Sequence, residues 1–297
     1  MKILKVLRST WFVRALVLIV SHALAGQFSW NATKTSTRDA EIITVESFVS
    51  WDELTDFTSE ADAITAGAVI TWGGPQNIAG DSDVITGGSL IGAFNVGDGG
   101  VSAATVNGVT FNPFALNSTG GPVSSGTVGN FTLATADLFA SDNTLYGSTA
   151  APFTNLSAGY RSLLRSATSV SNLVINPATF QLTMAGLVLG HQYKFQWFAN
   201  TSGPGAQLLS ASAGNTVTLN DNVTNAEGGS GQFAVGTFVA DALSEVIVFS
   251  SVGTGTDAQL NGFQLRDLGL VPEPSGIVLM LLGFGVLACR RTRATAA

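Results

Sequence analysis

Short segments rich in Val, Ile, Thr and Phe recur along the chain, each bounded by clusters of Gly, Asn, Asp or Ser. Short runs of this kind between turn-forming clusters are typical of β-strands. Few stretches repeat apolar residues at helical spacing, so the pattern predicts an all-β fold, an antiparallel β-sandwich in one domain. The predicted strands are residues 68–72, 90–94, 109–111, 130–134, 179–184, 192–199, 216–219, 232–239, 245–249 and 259–265.

Two of these strands show which face meets the core. Tyr193, Phe195 and Trp197 share one face because side chains alternate along a strand, and we expect that face to be buried. A second alternating stretch, 259–266, brings its apolar residues to one face only if the register shifts near Gly262. The sequence therefore predicts a β-bulge at that point.

One segment, 155–167, is predicted to be a short helix that closes one end of the sandwich. Its apolar residues stand at i, i+4, i+7 and i+8 counted from Leu156, which is helical spacing. Asn155 or Ser157 can cap its N-terminus. Residues 51–57 form a weaker helical candidate.

Residues 1–25 have the three parts of a secretory signal peptide. Four basic residues precede an apolar run at 15–20. The small residues Ala23 and Ala25 follow that run, and cleavage is predicted after Ala25. The uncharged run is far shorter than the roughly 20 residues of a membrane span, which favours a removed signal over the alternative, an N-terminal anchor. Residues 26–67 are then predicted to form a partly irregular N-terminal strap.

The other end has a different pattern. A Pro-Glu-Pro box at 272–274 precedes an apolar run at 276–289, which is followed by Arg290 and Arg291. As a helix this run reaches roughly 21 Å, whereas the hydrocarbon core is about 30 Å thick. Snorkelling arginines can make up the difference, and the positive-inside bias keeps them cytoplasmic. The run is thus predicted to be a single, short transmembrane helix.

This tail, residues 271–293, resembles the PEP-CTERM sorting signal of bacterial surface proteins, which joins a Pro-Glu-Pro box, a short transmembrane segment and an Arg-rich end. The resemblance implies that a membrane-embedded exosortase recognises Pro272, Glu273 and Pro274 and cleaves nearby. The implied route uses the Sec machinery, a transient anchor in the cytoplasmic membrane, and delivery to the cell surface or an extracellular, exopolysaccharide-containing matrix. An ordinary, permanent C-terminal anchor is the alternative.

A second resemblance concerns the body. Gly190, Tyr193 and Gln196 stand in a Gly-x-x-Tyr-x-x-Gln strand that is similar to one in galactose-binding-like and malectin-like jelly rolls. This implies a jelly-roll-like sandwich for residues 68–268. It implies no particular ligand, because one fold serves many functions.

Charge divides the chain into a basic periphery and an acidic body. All 20 acidic residues lie between Asp39 and Glu273, whereas seven of the 13 basic residues lie in the two ends. Such a body repels polyanions and attracts cations, which excludes nucleic acid as a partner. The single cysteine, Cys289, excludes a disulfide scaffold.

Side chains suited to catalysis are scarce. Once the signal is removed, His191 is the only histidine, and it stands in a turn entering a strand, where a solvated side chain is the ordinary role. A glycosidase needs two acids about 5 to 9 Å apart, and the sequence offers Asp52 with Glu53 or Asp81 with Asp83, but neighbouring acids are common in loops. We therefore predict no catalytic residue and keep a carboxylate-based glycosidase only as a distant alternative.

Two kinds of binding remain as candidates. Asp81 and Asp83 flank one residue, and Asp98 stands in a Gly-rich loop, so these acids are candidate calcium ligands, although such sequences also form ordinary turns. Trp72 is the tryptophan we expect to be exposed enough to stack on a sugar ring. The predicted function is structural or adhesive, with no firmly predicted metal or cofactor. A calcium-dependent carbohydrate-binding module is the alternative.

Overall fold

The computed structural model describes residues 68–116, 123–171 and 177–271. All of them belong to one compact unit, Ala61–Ala297. The predicted signal peptide, the strap, the weaker helical candidate and the transmembrane segment lie outside the described residues. Within those residues, no helix has the length and hydrophobicity that crossing a membrane requires.

The described residues are mostly strand, which confirms the prediction of an all-β body. Their one α-helix, α1, spans Ala158–Leu164. Their strands, numbered along the chain, are β1 (Thr71–Trp72), β2 (Gln76–Asn77), β3 (Ser89–Gly97), β4 (Ala104–Val106), β5 (Val109–Ala115), β6 (Val123–Val128), β7 (Phe131–Asp142), β8 (Ala167–Val170), β9 (Thr179–Ala185), β10 (His191–Ala199), β11 (Leu208–Ala213), β12 (Asn215–Asn220), β13 (Gln232–Val239), β14 (Ser244–Val252), β15 (Ala258–Leu260) and β16 (Gly262–Leu270).

The strands form two sheets. The first has the order β1-β13-β10-β16-β3-β5-β4, with β2 also paired to β13. The second has the order β12-β11-β14-β9-β7-β8-β15, with β6 also paired to β7. Neighbouring strands are antiparallel except for β3 and β5, which run parallel. The prediction of antiparallel pairing is therefore wrong for this one pair, because β4 intervenes in the chain and forms the antiparallel partner of β5.

The main core lies between the two sheets. Tyr193, Phe195 and Trp197 of β10 are almost completely buried in it, as their alternation predicted. Phe263 of the adjacent strand β16 lies among further rings, 5.3 Å from Phe94 and 5.9 Å from Phe195 between centroids. Removing one such ring typically costs about 3 to 5 kcal/mol, so this aromatic layer is a main source of stability.

A second core covers the outer face of the first sheet. Phe198 of β10 and Phe111 of β5 are fully buried there. The ring of Tyr160, on α1, lies 6.0 Å from that of Phe198. Strand β10 is therefore buried on both faces over its second half, and α1 is held against the sheet by its apolar side.

Helix α1 is shorter than predicted. Ser157 caps it by accepting a hydrogen bond from the backbone N–H of Tyr160 at 3.1 Å, which confirms one of the two predicted caps. The chain leaves the helix after Leu164 because Ala167 already starts β8. A Cβ on Gly159 would lie 2.0 Å from the carbonyl oxygen of Thr105, so only glycine lets the helix approach β4 this closely.

The bulge predicted near Gly262 is wrong, since the chain changes sheets there. The predicted strand is broken at Asn261 into β15, which pairs with β8, and β16, which pairs with β10 and β3. Leu260 and Phe263 enter the same core from the two different sheets. The register of β16 shifts only later, between Leu265 and Arg266.

Candidate functional site

An open groove of about 770 Å³ lies beside α1. Arg161 of α1 and Arg165, the C-cap residue that follows the helix, both line it. Hydroxyl side chains of Ser148 and Ser162 and the carboxylate of Glu227 complete its polar lining. These residues come from three separate parts of the chain, so the groove exists only in the folded protein.

Local contacts hold the groove's walls in place. The carboxylate of Asp142 accepts hydrogen bonds of 2.6 Å from the backbone N–H groups of both Thr144 and Leu145, which fixes the turn at the end of β7. Burial opposes ionisation of Asp142, but these hydrogen bonds prevail and lower its pKa. The hydroxyl of Ser148 donates to Glu227, which ties this loop to the turn between β12 and β13.

The two arginines are without ion-pair partners. Among the described residues, no carboxylate forms a salt bridge with either guanidinium. The Nε atom of Arg161 is buried and has no hydrogen-bond partner. Buried guanidinium donors are normally satisfied, so this atom is an unusual feature of the groove.

Sequence reasoning missed this site, although one signal was present. Arg161 and Arg165 stand four residues apart in a segment predicted to be helical, which puts both on one face. They are also two of only six basic residues between the two ends of the chain. What the sequence did not indicate is that Ser148 and Glu227, distant in the chain, would face them.

The structure brings two of the three candidate calcium ligands into one turn. Asp81 and Asp83 lie in a 3-10 helix, Asp81–Asp83. Asp83 Oδ2 accepts hydrogen bonds from the backbone N–H of Ala79 at 2.8 Å and from the hydroxyl of Tyr160 at 3.2 Å. Asp81 Oδ1 accepts one of 2.6 Å from Ser157. Both acids therefore already help to dock this turn onto α1.

A polar ladder on β10 and β16 fastens the same turn to the sheet. Gln196 donates to the carbonyl oxygen of Asp83 at 2.7 Å and also bonds Gln264. Arg266 donates to Gln264 and to the carbonyl oxygens of residues 86–88. Desolvation by burial lowers the pKa of Arg266. The guanidinium is thus held by neutral acceptors, which fixes the segment after Asp83.

Asp98 belongs to a different place. Its Oδ1 accepts a hydrogen bond from the backbone N–H of Gly100 at 2.7 Å and one from the side-chain amide of Asn143. Across residues 68–116, 123–171 and 177–271, no three His, Cys, Asp or Glu side chains gather in a way that could hold a metal ion. Asp81, Asp83 and Asp98 therefore do not make one site there, and calcium binding stays a prediction.

Trp72 lies at the rim of the main core. Its side chain is partly buried, its ring lies 6.2 Å from that of Phe195, and its indole N–H donates to the carbonyl oxygen of Asn215 at 3.1 Å. The indole thus already has an aromatic neighbour and a hydrogen-bond partner within the protein. Sugar stacking on Trp72 stays a prediction.

His191 is more engaged than the solvated side chain we expected. Its Nδ1 lies 2.9 Å from Oδ2 of Asp267, on the neighbouring strand β16. Asp267 also accepts a hydrogen bond from the backbone N–H of Gly269 at 2.7 Å. The pair braces the end of the first sheet, just before the chain leaves the described body.

Exposed apolar side chains collect at that same end. Three adjoining segments meet there, since Leu187 N–H bonds the carbonyl oxygen of Leu243 at 3.1 Å and Val271 N–H bonds that of Gly190 at 3.3 Å. Leu243 is 66% exposed and Leu270 70%. We call this surface the exit rim, and its members are Val188, Leu189, Leu243, Leu270 and Val271.

Two buried acids lie apart from the groove and the exit rim. Burial raises the pKa of Asp221 to about 6, against a lowering by hydrogen bonds that include the backbone N–H of Gln207. Burial likewise raises the pKa of Glu245 to about 7, although the backbone N–H groups of Val246 and Ala68 lower it. Both acids therefore hold their protons to a higher pH in the folded protein than in the unfolded chain.

Stability should consequently fall as the pH rises. The pKa of an unfolded Glu is about 4.3, so the contribution of Glu245 is fully present below that pH and is lost as the pH passes about 7. We expect Glu245→Gln to be more stable than the wild type by about 2 kcal/mol at pH 8 and equal to it near pH 4. Denaturant unfolding at both pH values measures this, with the exposed Glu227→Gln as control. Equal pH dependence in wild type and Glu245→Gln would contradict the assignment.

The comparisons with known proteins bear on the exit rim rather than the groove. A model of the PEP-CTERM protein-sorting motif matches residues 270–294. The chain therefore carries this motif, and the resemblance predicted for 271–293 is confirmed. Its first two residues, Leu270 and Val271, are members of the exit rim. No curated protein matches the sequence.

Two solved structures show a distant likeness. One is a calcium-binding mutant of Bacteroides uniformis beta-glucuronidase 2, with 13% identity and a TM-score of 0.36 over 59% of this chain and 18% of that one. The other is the same enzyme covalently bound to cyclophellitol-6-carboxylate aziridine, with 16% identity and a TM-score of 0.34 over 59% and 17%. The chain spans less than a fifth of the length of either, and likenesses this weak inform neither fold nor function.

Proposed function

We propose that the protein is exported as a membrane-anchored precursor and sorted by an exosortase to the cell surface or extracellular matrix, where its body has a structural or adhesive role. The observation that carries this proposal is the PEP-CTERM motif at 270–294. An exosortase is the processing partner that such a motif implies. The proposed role of the body is non-enzymatic.

The exit rim supports an anchored precursor. Leu270 ends β16 at this rim, and the Pro-Glu-Pro box begins two residues later, at Pro272. Any anchor formed by 276–289 would therefore hold this end of the body within a few residues of the membrane. Exposed leucine and valine side chains are suited to that position, because the membrane interface accepts apolar groups that water disfavours.

The charge of the body supports delivery away from the membrane after processing. Acidic side chains outnumber basic ones by 20 to six between residues 26 and 273. A surface of this sign is repelled by anionic lipid, and only the anchor opposes that repulsion. Once the anchor is removed, the body has little electrostatic reason to stay at the bilayer.

Cells that differ only in their exosortase test the proposal. With the enzyme present, we expect an antibody against the body to detect the protein at the surface or in the matrix, shorter than the precursor. Without the enzyme, we expect the protein in the membrane fraction at the longer size. Delivery of a protein of the same size in both strains would contradict sorting by exosortase.

A further inference from the structure

We propose that the groove beside α1 is a binding site for a carboxylate-bearing saccharide, with Arg161 and Arg165 as the residues that bind the carboxylate. The inference rests on the proposed function for the source of the ligand, because uronic-acid polysaccharides would be met outside the cell. Binding itself is a property of the folded body. It can therefore be tested without reference to sorting.

The distribution of charge is the first argument. The described residues contain eleven acidic side chains and four basic ones, and two of those four line this single groove. None of the four lysine and arginine side chains among the described residues forms a salt bridge, and Arg161 and Arg165 are the two of them that lie together in one concavity. Their positive charge is therefore available to a ligand. The C-terminus of α1 favours positively charged side chains nearby, which explains why arginines are tolerated here. It does not explain why they line a concavity.

The geometry of the two arginines is the second argument. Arg161 lies on α1 and Arg165 is the C-cap residue directly after it, so the two side chains, four residues apart, rise from points about 6 Å apart on one face. Arg165 is exposed, whereas Arg161 is half-buried and has a buried Nε without a hydrogen-bond partner. A guanidinium binds a carboxylate through two parallel N–H donors, so the exposed Arg165 can hold a carboxylate in the groove, with the positive charge of Arg161 beside it.

The rest of the lining favours a sugar over a simple anion. Thr149 and Ser162 present hydroxyl groups, which can donate to and accept from sugar hydroxyls, whereas the hydroxyl of Ser148 already donates to Glu227. The carboxylate of Glu227 repels any anion, but it repels a phosphate dianion more strongly than a single carboxylate, and it can accept a hydrogen bond from a sugar hydroxyl. The volume of about 770 Å³ lies within the range of small-ligand sites, about 300 to 1,000 Å³.

The test measures binding of oligogalacturonate to the full-length protein in detergent by titration calorimetry at low salt. Two further probes are the same oligosaccharide with its carboxylates reduced to alcohols, and inorganic phosphate. We expect the acidic oligosaccharide to bind at least about tenfold more tightly than the other two. We expect Arg165→Gln to weaken that binding at least about tenfold, and Arg165→Lys to weaken it less, since lysine keeps the charge but loses the bidentate fork.

Lys194→Gln is the matched control. It removes one positive charge from a residue that does not line the groove, so its affinity should stay within about twofold of the wild type. Thermal unfolding verifies that Arg165→Gln, at an exposed position, is folded. Four results would each overturn the inference: no binding, equal binding of the neutral oligosaccharide or phosphate, wild-type affinity of Arg165→Gln, or an equal loss in Lys194→Gln. Sorting of Arg165→Gln should be normal, so failure here leaves the proposed function untouched.

Discussion

Replacing Pro272 and Glu273 together by alanine is expected to leave nearly all of the protein in the membrane fraction, at the size of the precursor. Both residues lie in the motif matched at 270–294 and form the box that the exosortase is proposed to recognise. Proline restricts its own backbone and that of the residue before it, so we expect a Pro-Glu-Pro sequence to favour a stiff, extended and charged segment. The two alanines remove the charge and the restriction that Pro272 imposes. Membrane and matrix fractions probed with an antibody against the body measure the effect.

The control for this variant is the pair Pro204→Ala with Glu227→Ala, both exposed in the body and outside the motif. It should reach the surface in the amount and at the size of the wild type. Matrix delivery of the Pro272→Ala, Glu273→Ala protein at the processed size would show that the box is not what the sorting enzyme recognises.

The second large effect is expected on stability, from Asn261→Ala. Asn261 is completely buried where the chain changes sheets, and its side-chain amide donates to the carbonyl oxygens of Leu164, Ser166 and Asn200 at 2.7 to 3.1 Å. Its Oδ1 accepts from the backbone N–H of Asn200 at 2.7 Å. Alanine would leave the backbone N–H of Asn200 and the carbonyl oxygen of Ser166 without these buried bonds, at about 1 to 3 kcal/mol each. The carbonyl oxygens of Leu164 and Asn200 keep bonds from the side-chain amides of Asn200 and Gln259. We expect the free energy of unfolding to fall by about 3 kcal/mol or more.

Asn112→Ala is the matched control, since Asn112 is exposed on β5. It should change the free energy of unfolding by no more than about 0.5 kcal/mol. Denaturant unfolding followed by tryptophan fluorescence compares the two variants. A small effect of Asn261→Ala would mean that β15 and β16 are held in their separate sheets by side-chain packing alone.

Much of the sandwich could be predicted because many of its strands are rich in branched and aromatic residues. The stretch around Tyr193 has aromatic side chains at every second position, that around Phe249 is a short run of branched and aromatic residues, and both are strands of the structure. The strands that were missed, such as β8 and β11, consist largely of Ala, Ser and Thr, which carry little periodic signal. These segments are strands because they pair with other strands of the sheet, β8 with β7 and β15, and β11 with β14 among others. Partners that are distant in the chain leave no local pattern in the sequence.

The sheet switch shows a second limit of sequence reasoning. Alternation does fail around Asn261, and that failure was visible in the sequence. A bulge and a change of sheet both break the period, so the pattern cannot separate them. Buried hydrogen bonds from Asn261 to Leu164 and Ser166 favour the change of sheet over a bulge. These contacts join residues nearly a hundred positions apart, so no local pattern predicts them.

The two sites differ in the same way. The sorting motif could be predicted because it is linear, with Pro272, Glu273 and Pro274 read in order. The groove could not be predicted, because Arg161, Ser148 and Glu227 come to line one concavity only in the folded protein. Trp72 was singled out for its residue type, yet its indole N–H is bonded to Asn215 within the protein.

Intact-mass spectrometry of the protein recovered from the cell surface or matrix tests the central claim most directly. The account predicts a chain that begins at Gly26 and ends near the Pro-Glu-Pro box, without the apolar residues 276–289 and the arginines that follow. Recovery of a surface or matrix protein that still carries those residues would contradict it.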